Sequence, residues 1–294
     1  MGLKKESVLL LMKEGLRESF KGRMVTLGRQ DVLVTYEELI ELANQVGYPL
    51  RLLSNIALSD KSDMEKLKFI SDRSLFFMLG FDDLKSVDFS SYENADVIYD
   101  LNRDLLPADL VSSANVVLDP GTIEHVFHVP NSLKNIFKML QVTGRVIHIA
   151  PSSNHMDHGF YMFSPTLFRD YYLANQFDLQ PLKIIRYKPQ SFLSWKIAAY
   201  FPQFFQSFSF GGLDACMYAV YCIAKKTALS SSDRIPQQSH YEHNLWKETS
   251  QFSRISRLKN LIKKSPVFYR GSLFFYRFYK KFVFLKKFIS VYRD

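Results

Sequence analysis

Apolar and polar positions change period several times along the chain, and each change marks an element. An amphipathic helix opens the chain. Arg23-Met24-Val25-Thr26-Leu27 then reads as a strand punctuated by Gly28-Arg29-Gln30. Thr35 with Glu38 forms a T-x-x-E capping box, which opens a helix running to about Val46. A second helix is expected near Asp63 to Leu79, with Ser62 as its N-cap. Lys85 to Asp88, Asn94 to Asp100 and Ala114 to Leu118 read as strands, the last enriched in β-branched residues. Pro130 to Leu140 carries Leu133, Ile136, Phe137 and Leu140 at the spacing of a helix packed on a sheet. Gly144 is expected to end that helix before a strand from Arg145 to Ala150. Met217 to Ala224, after Gly211-Gly212, is a late strand. Strands alternating with helices predict an α/β fold with a Rossmann-like, doubly wound, mostly parallel sheet. Residues 1–229 form that domain, 230–253 a Ser- and Gln-rich linker, and 254–294 a tail.

Composition divides the chain in the same place. Its 294 residues suffice for one large core, and 47% hydrophobic with 23% charged residues excludes both general disorder and an integral membrane bundle. The net charge of +9 is uneven: from Arg254 onward there are 12 Lys/Arg and one acid, leaving 26 basic against 28 acidic residues before it. A near-neutral body with a basic tail is expected to meet an anionic partner at the tail, and the body offers no continuous surface for nucleic acid. The tail segment SLFFYRFYKKFVFLKKFISVY interleaves basic residues with Phe and Tyr. It suits a helical appendage lying peripherally on an anionic membrane, or a helix that docks its aromatics on the body. The Val8-to-Met12 run is too short for a secretory signal, and Glu6 spoils a myristoylation signal after Gly2. Cys216 and Cys222 lie six apart in one expected strand, about 20 Å at roughly 3.3 Å per residue, too far for a disulfide. A reducing, cytoplasmic setting follows.

The segments VVLDPGTIEHVF (Val116 to Phe127) and PNSLKNIFKMLQVTGRVIHIAP (Pro130 to Pro151) resemble the second half of a class I S-adenosylmethionine-dependent methyltransferase. Glu124-His125, Met139-Leu140, Gly144 and Pro151 occupy the family's Glu-His pair, helix end, glycine and strand-end proline. Ser86 to Ser90 resembles the end of the second strand, whose acid holds ribose hydroxyls, and Asp100-Leu101-Asn102 resembles the acidic turn beside adenine. Asn154 to Phe168, NHMDHGFYMFSPTLF, is similar to a branch that methylates small molecules or surface sugars. The first loop departs from the family's glycine-rich pattern, with one glycine in Leu27-Gly28-Arg29-Gln30-Asp31. Either Arg29 substitutes a charge-assisted contact to the methionine carboxylate, or the loop no longer holds the cofactor.

The resemblance implies cofactor contacts from Gly28, Arg29, Gln30, Asp88, Asp100, Asn102 and Asp119. Asp88 ends a parallel strand at the rim where open α/β sheets bind ligands, where an acid also serves as a helix cap. Asp100 and Asn102 equally fit ordinary turn chemistry. His125, with Glu124, is a candidate base for a hydroxyl acceptor, or a histidine packing its loop. His155, His158 and Tyr161 are expected to bind substrate on the loop after the fifth strand. A metal set is not expected, because His155-Met-Asp157-His158 lacks the preceding His-x-His of a hydrolase zinc motif and His148 falls in a buried strand pattern. The expected function is methyl transfer from S-adenosylmethionine to a polar small molecule, including a sugar of a surface glycan or its lipid-linked precursor. The alternative is a non-catalytic, methyltransferase-like interaction module.

Overall fold

The computed structural model describes residues 2–188, 195–202, 204–205, 208, 213–239, 278–279 and 281–293. Strand β1 (Arg23–Leu27) lies third from one edge of a ten-stranded sheet. From it the chain moves outward through β2 (Asp83–Asp88) to β3 (Val97–Ile98), then returns to the other side of β1 with β4 (Ala114–Asp119) and β5 (Leu140–Ser153). Beyond β5 come β9 (Met217–Lys225), β7 (Lys183–Tyr187), β8 (Lys196–Ala199) and β10 (Ile289–Ser290), with β6 (Asp178–Leu179) also paired to β9. Strands β3-β2-β1-β4-β5 are all parallel, and among the described strands β8 and β9 run against the rest. The order reverses between β1 and β4, so loops leaving those two strands diverge and open a crevice at their carboxyl ends.

Alternation along the strands sends side chains into two cores. Val116, Leu118, Ile147 and Ile149 face helices α1 (Lys5–Arg17), α2 (Tyr36–Val46) and α4 (Asp72–Met78), while Val117, Val146 and Ala150 face α5 (Val129–Met139) and α6 (Pro165–Ala174). Helix α2 begins as expected: the Thr35 hydroxyl accepts from the Glu38 amide (3.2 Å), and the Glu38 carboxylate accepts from the Thr35 amide (3.0 Å). Cys216 and Cys222 are both buried and free.

Five expectations are corrected. The helix expected from Asp63 to Leu79 is two, α3 (Ser62–Lys66) and α4, and Ser71 rather than Ser62 supplies a side-chain cap. Between them Lys68 takes a φ of 58°, and the Ile70 amide donates to the Val34 carbonyl instead of continuing the helix. The strand expected from Asn94 to Asp100 shrinks to Val97–Ile98, because Asn94 turns the chain at a φ of 54°. Gly144 does not end α5, which stops at Met139, but lies inside β5. A Cβ on Gly144 would lie 2.8 Å from the Ala114 carbonyl oxygen, so only glycine permits that close approach of β5 to β4.

The fourth concerns the tail. Residues 254–277 lie outside the described residues, but the end of the chain is part of the fold rather than an appendage outside the sheet. Strand β10 pairs with β8, Phe284 and Phe288 are buried among Phe204, Phe205 and Tyr218, and the Lys13 ammonium donates to the Val291 carbonyl (2.8 Å). Phe288 is therefore not available to enter a membrane. No described helix is long and apolar enough to cross one. Nor is 230–239 a free linker: the Ser231 amide donates to the Asn175 carbonyl (3.0 Å) and the Ser239 amide to the Asp170 carboxylate (2.9 Å).

Candidate functional site

A cleft of about 440 Å³ opens at the carboxyl ends of β1, β2 and β4, where the strand order reverses. Gly28 leaves β1 with a φ of 72°, a backbone conformation that favours glycine, and its amide donates to the Val87 carbonyl (2.7 Å). Side chains rather than further glycines hold the turn. The Thr122 hydroxyl donates to the Leu27 carbonyl (2.6 Å), and the buried Gln30 amide donates to the Leu27 and Gly28 carbonyls (3.0 and 3.1 Å). Gln30 is thus a brace for the turn, and it also lines the cleft.

Arg29 lines the cleft, but its guanidinium is engaged by Asp60 (2.7 Å) and Asp72 (3.4 Å) and donates to the Glu93 carbonyl (3.1 Å). Burial opposes its charge, yet the two carboxylates outweigh burial and hold its pKa above the usual arginine value. Lys61 similarly bridges Asp31 (2.8 Å) and Glu93 (2.7 Å), so the first loop is strapped to its surroundings by ion pairs.

On the β2 side of the cleft, Asp88 ends its strand. Its Oδ1 accepts from the Ser90 amide (3.1 Å), and its Oδ2 lies beside the Gly28 turn. Asp100 Oδ1 accepts from the Asn102 amide (2.9 Å) and the Asn102 side chain (2.8 Å), and Asn102 Oδ1 accepts from the His128 amide (2.9 Å). This locked turn also lines the cleft.

Asp119 is placed differently from the expectation. It is wholly buried beneath the cleft floor and lines no part of it. One oxygen accepts from the Thr122 and Ile123 amides (3.0 and 3.3 Å), and the other lies 2.6 Å from His148 Nδ1. His148 Nε2 is 2.6 Å from the Tyr172 hydroxyl, whose pKa burial pushes well above its usual value. A carboxylate can only accept, so Nδ1–H donates to Asp119, and in the neutral imidazole Nε2 then accepts from Tyr172. The local pattern reads Asp119 as a strand-end acid; its turn toward His148 is set by the β4–β5 register, which pairs those two residues side by side.

Glu124 and His125 sit in a 3-10 turn, Ile123–His125, between β4 and α5. His125 lines the cleft, whereas Glu124 is wholly buried behind it. Neither oxygen of the Glu124 carboxyl finds a hydrogen-bond partner. Burial and then the Asp119 charge push its pKa up to about 8, with its own amide pulling weakly the other way. The loop after β5 closes over this turn: the Phe160 and Tyr161 amides donate to the Glu124 carbonyl (2.8 and 3.2 Å). Gly159 permits that contact, since a Cβ there would lie 2.9 Å from the Glu124 carbonyl oxygen.

The same docking brings His158 Nε2 to 3.6 Å from Glu124 Oε1, with His125 Nε2 at 3.9 Å. Burial, then His158, lowers the pKa values of both His125 and His155. His155 is buried, its Nε2 3.4 Å from the Tyr187 hydroxyl, and it touches no cleft surface. Tyr161 turns the other way, donating to the Phe127 carbonyl (2.8 Å) and lining a separate apolar cleft of about 670 Å³ with Leu133, Phe163, Leu167 and Ile235. The expected substrate trio is therefore split, and His158 alone joins the Glu-His turn. Sequence reading missed Thr122 and Tyr99 as cleft residues. Thr122 had a signal, its place three residues after a strand-end acid.

No family model matches this sequence, and no curated protein sequence matches it. Among solved structures, the chain is similar to a 1,6-didemethyltoxoflavin-N1-methyltransferase from Burkholderia thailandensis with bound 1,6-didemethyltoxoflavin and S-adenosylhomocysteine. That match has 11% identity and a TM-score of 0.36, covering 76% of this chain and 79% of the other. It is also similar to a SAM-dependent methyltransferase from Archaeoglobus fulgidus, at 12% identity and a TM-score of 0.38, covering 76% and 94%. Each is a distant likeness of fold; what this chain binds has to be read from its own residues.

Proposed function

We propose that the chain transfers a methyl group from S-adenosylmethionine to a polar small molecule. The observation that carries the reading is Asp88: a carboxylate at the end of β2, beside the Gly28 turn, opening on a cleft at the sheet's reversal point. A carboxylate there accepts from two vicinal ribose hydroxyls, and the Asp100–Asn102 turn supplies polar groups for a base edge. Asp31 and Glu93 are already bridged by Lys61, but Asp88 and Asp100 on the lining also favour a ligand carrying positive charge, as a sulfonium with an ammonium does. The volume lies within the roughly 300–1,000 Å³ of ligand pockets.

The acceptor meets the methyl group on the side of His125. As the sulfur–carbon bond breaks and the oxygen–carbon bond forms, the sulfonium becomes a neutral thioether and the hydroxyl proton needs an acceptor. His125, whose lowered pKa keeps it neutral near pH 7, takes that proton. A sugar hydroxyl of a surface glycan or its lipid-linked precursor fits this chemistry.

One observation favours a second reading, a methyltransferase-like interaction module. The Arg29 charge is taken up by Asp60 and Asp72, so it is not free for a methionine carboxylate. Calorimetric titration separates the two. S-adenosylmethionine should bind the wild-type chain, and Asp88→Ala should weaken binding about 5- to 150-fold, the loss of roughly 1–3 kcal/mol for a hydrogen bond to a charged group. An absence of binding to the wild type would establish the second reading.

A further inference from the structure

Glu124, His125 and His158 offer one carboxylate oxygen and two imidazole nitrogens that all lie within 4.8 Å of one another. Two of the edges are 3.9 Å (His125 Nε2 to Glu124 Oε1) and 3.6 Å (His158 Nε2 to Glu124 Oε1). A tetrahedral ion bound at about 2.0–2.1 Å spaces its ligands roughly 3.3 Å apart, so the two Glu–His edges stand a few tenths of an ångström wide of a coordination shell, with the His–His edge within 4.8 Å. Both Glu–His pairs are also too far apart to hydrogen-bond. The geometry points to a site for a divalent first-row transition ion held by Glu124, His125 and His158.

A second, independent observation supports it. Glu124 is wholly buried and neither of its oxygens has a partner, and His158 Nε2 is likewise buried and unpartnered. Leaving a buried carboxyl without a hydrogen bond is expensive, and native interiors rarely do so without a reason. One cation would meet the unpartnered Glu124 oxygen and His158 nitrogen together with a nitrogen of His125. The polypeptide holds them there by two devices: the 3-10 turn presents Glu124 and His125, and Gly159 lets the Phe160 and Tyr161 amides clamp the His158 loop onto the Glu124 carbonyl.

The donor set decides the ion class. Two imidazoles and one carboxylate suit Zn²⁺, Fe²⁺ or Ni²⁺ better than Mg²⁺ or Ca²⁺, which seek oxygen ligands. Three protein ligands leave coordination positions open, as in catalytic rather than structural sites. His125 borders the cleft, so an open position faces the space where an acceptor would lie. An ion there would hold the acceptor hydroxyl and lower its pKa, so that the proton is lost to solvent water rather than to His125, whose nitrogen would be a ligand. The binding site stands apart from the methyl-transfer reading; only this use of the ion rests on it.

The test is equilibrium dialysis of the full-length, chelator-stripped chain against Zn²⁺, without S-adenosylmethionine, followed by metal analysis. The expected result is one Zn²⁺ per chain, at least 100-fold weaker in Glu124→Gln and in His158→Asn, and unchanged in His128→Ala, an exposed histidine outside the set. Co²⁺ in place of Zn²⁺ should give a visible absorption band that both ligand variants lose. If Glu124→Gln fails to fold by circular dichroism, His158→Asn, on a loop, carries the test alone. Failure to bind stoichiometrically, or binding that survives both ligand substitutions, would overturn the site. Because the cofactor is absent throughout, either result leaves the methyl-donor titration to stand or fall separately.

Discussion

Asp119 and Glu124 lie five residues apart, both wholly buried at the foot of the same cleft, and share almost nothing else. Asp119 is saturated: two amides on one oxygen and His148 on the other, with His148 in turn bonded to Tyr172. Glu124 has no hydrogen-bond partner on either oxygen, and burial with the Asp119 charge drives its pKa up. A buried acid whose every lone pair is met is part of the framework, because it fixes β4 to β5 and to α6. One left unmet stores an interaction for something that arrives later. Position in the sequence does not separate the two, since one ends β4 and the other follows in the turn before α5; the partners do.

The largest expected effect follows from removing the framework acid. Asp119→Asn replaces one of two acceptor oxygens with a donor, leaving buried donors facing each other either at His148 or at the Thr122 and Ile123 amides, at about 1–3 kcal/mol for each unsatisfied group and several in all. The midpoint of denaturant unfolding should fall accordingly. A variant as stable as wild type would erase the distinction.

Glu124→Gln should do the reverse. The folded-state pKa of Glu124 is raised from 4.5 to about 8, so folding favours its protonated form. That contribution is fully present below about pH 4.5 and is lost as pH rises toward about 8. In chelator, the wild type should therefore lose on the order of 3 kcal/mol across that window relative to Glu124→Gln, which has no proton to give up. The groups facing Glu124 are Asp119, His125, His158 and Tyr187. Parallel stability–pH curves for the two proteins would refute the elevated value.

The smallest effect sharpens the framework side. Tyr172→Phe removes only the far hydroxyl of the Asp119–His148–Tyr172 chain, leaving His148 Nε2 buried and unpaired. A loss of about 1–3 kcal/mol in unfolding free energy is expected, with affinity for S-adenosylmethionine unchanged.

How much of this was readable beforehand depends on how local the cause is. Strand β1 and the Thr35–Glu38 box follow from a few adjacent residues, and both appear with the expected residues. Asp88 at the rim was legible because strand ends and sheet topology together set its place. The break between α3 and α4 was not, because it arises from the Ile70 amide bonding Val34 across the chain. Gly144 has the sequence signature of a helix stop, but what demands glycine there is the Ala114 carbonyl on a neighbouring strand. The approach of His158 to Glu124 spans thirty-four positions and depends on Gly159 fitting against a carbonyl, which no spacing reveals. The tail's aromatics carry the pattern of a membrane surface, yet Phe284 and Phe288 are buried against Phe204, Phe205 and Tyr218 in the core.

The most direct measurement is amide hydrogen exchange with and without S-adenosylhomocysteine. A donor site at the carboxyl ends of β1, β2 and β4 should slow exchange in segments 27–31, 87–90, 99–102 and 121–126, the segments that line the cleft. It should leave 129–134 and 232–236, around the apolar cleft, as they were. Unchanged exchange in the first set, or protection confined to the second, would contradict the methyl-donor reading.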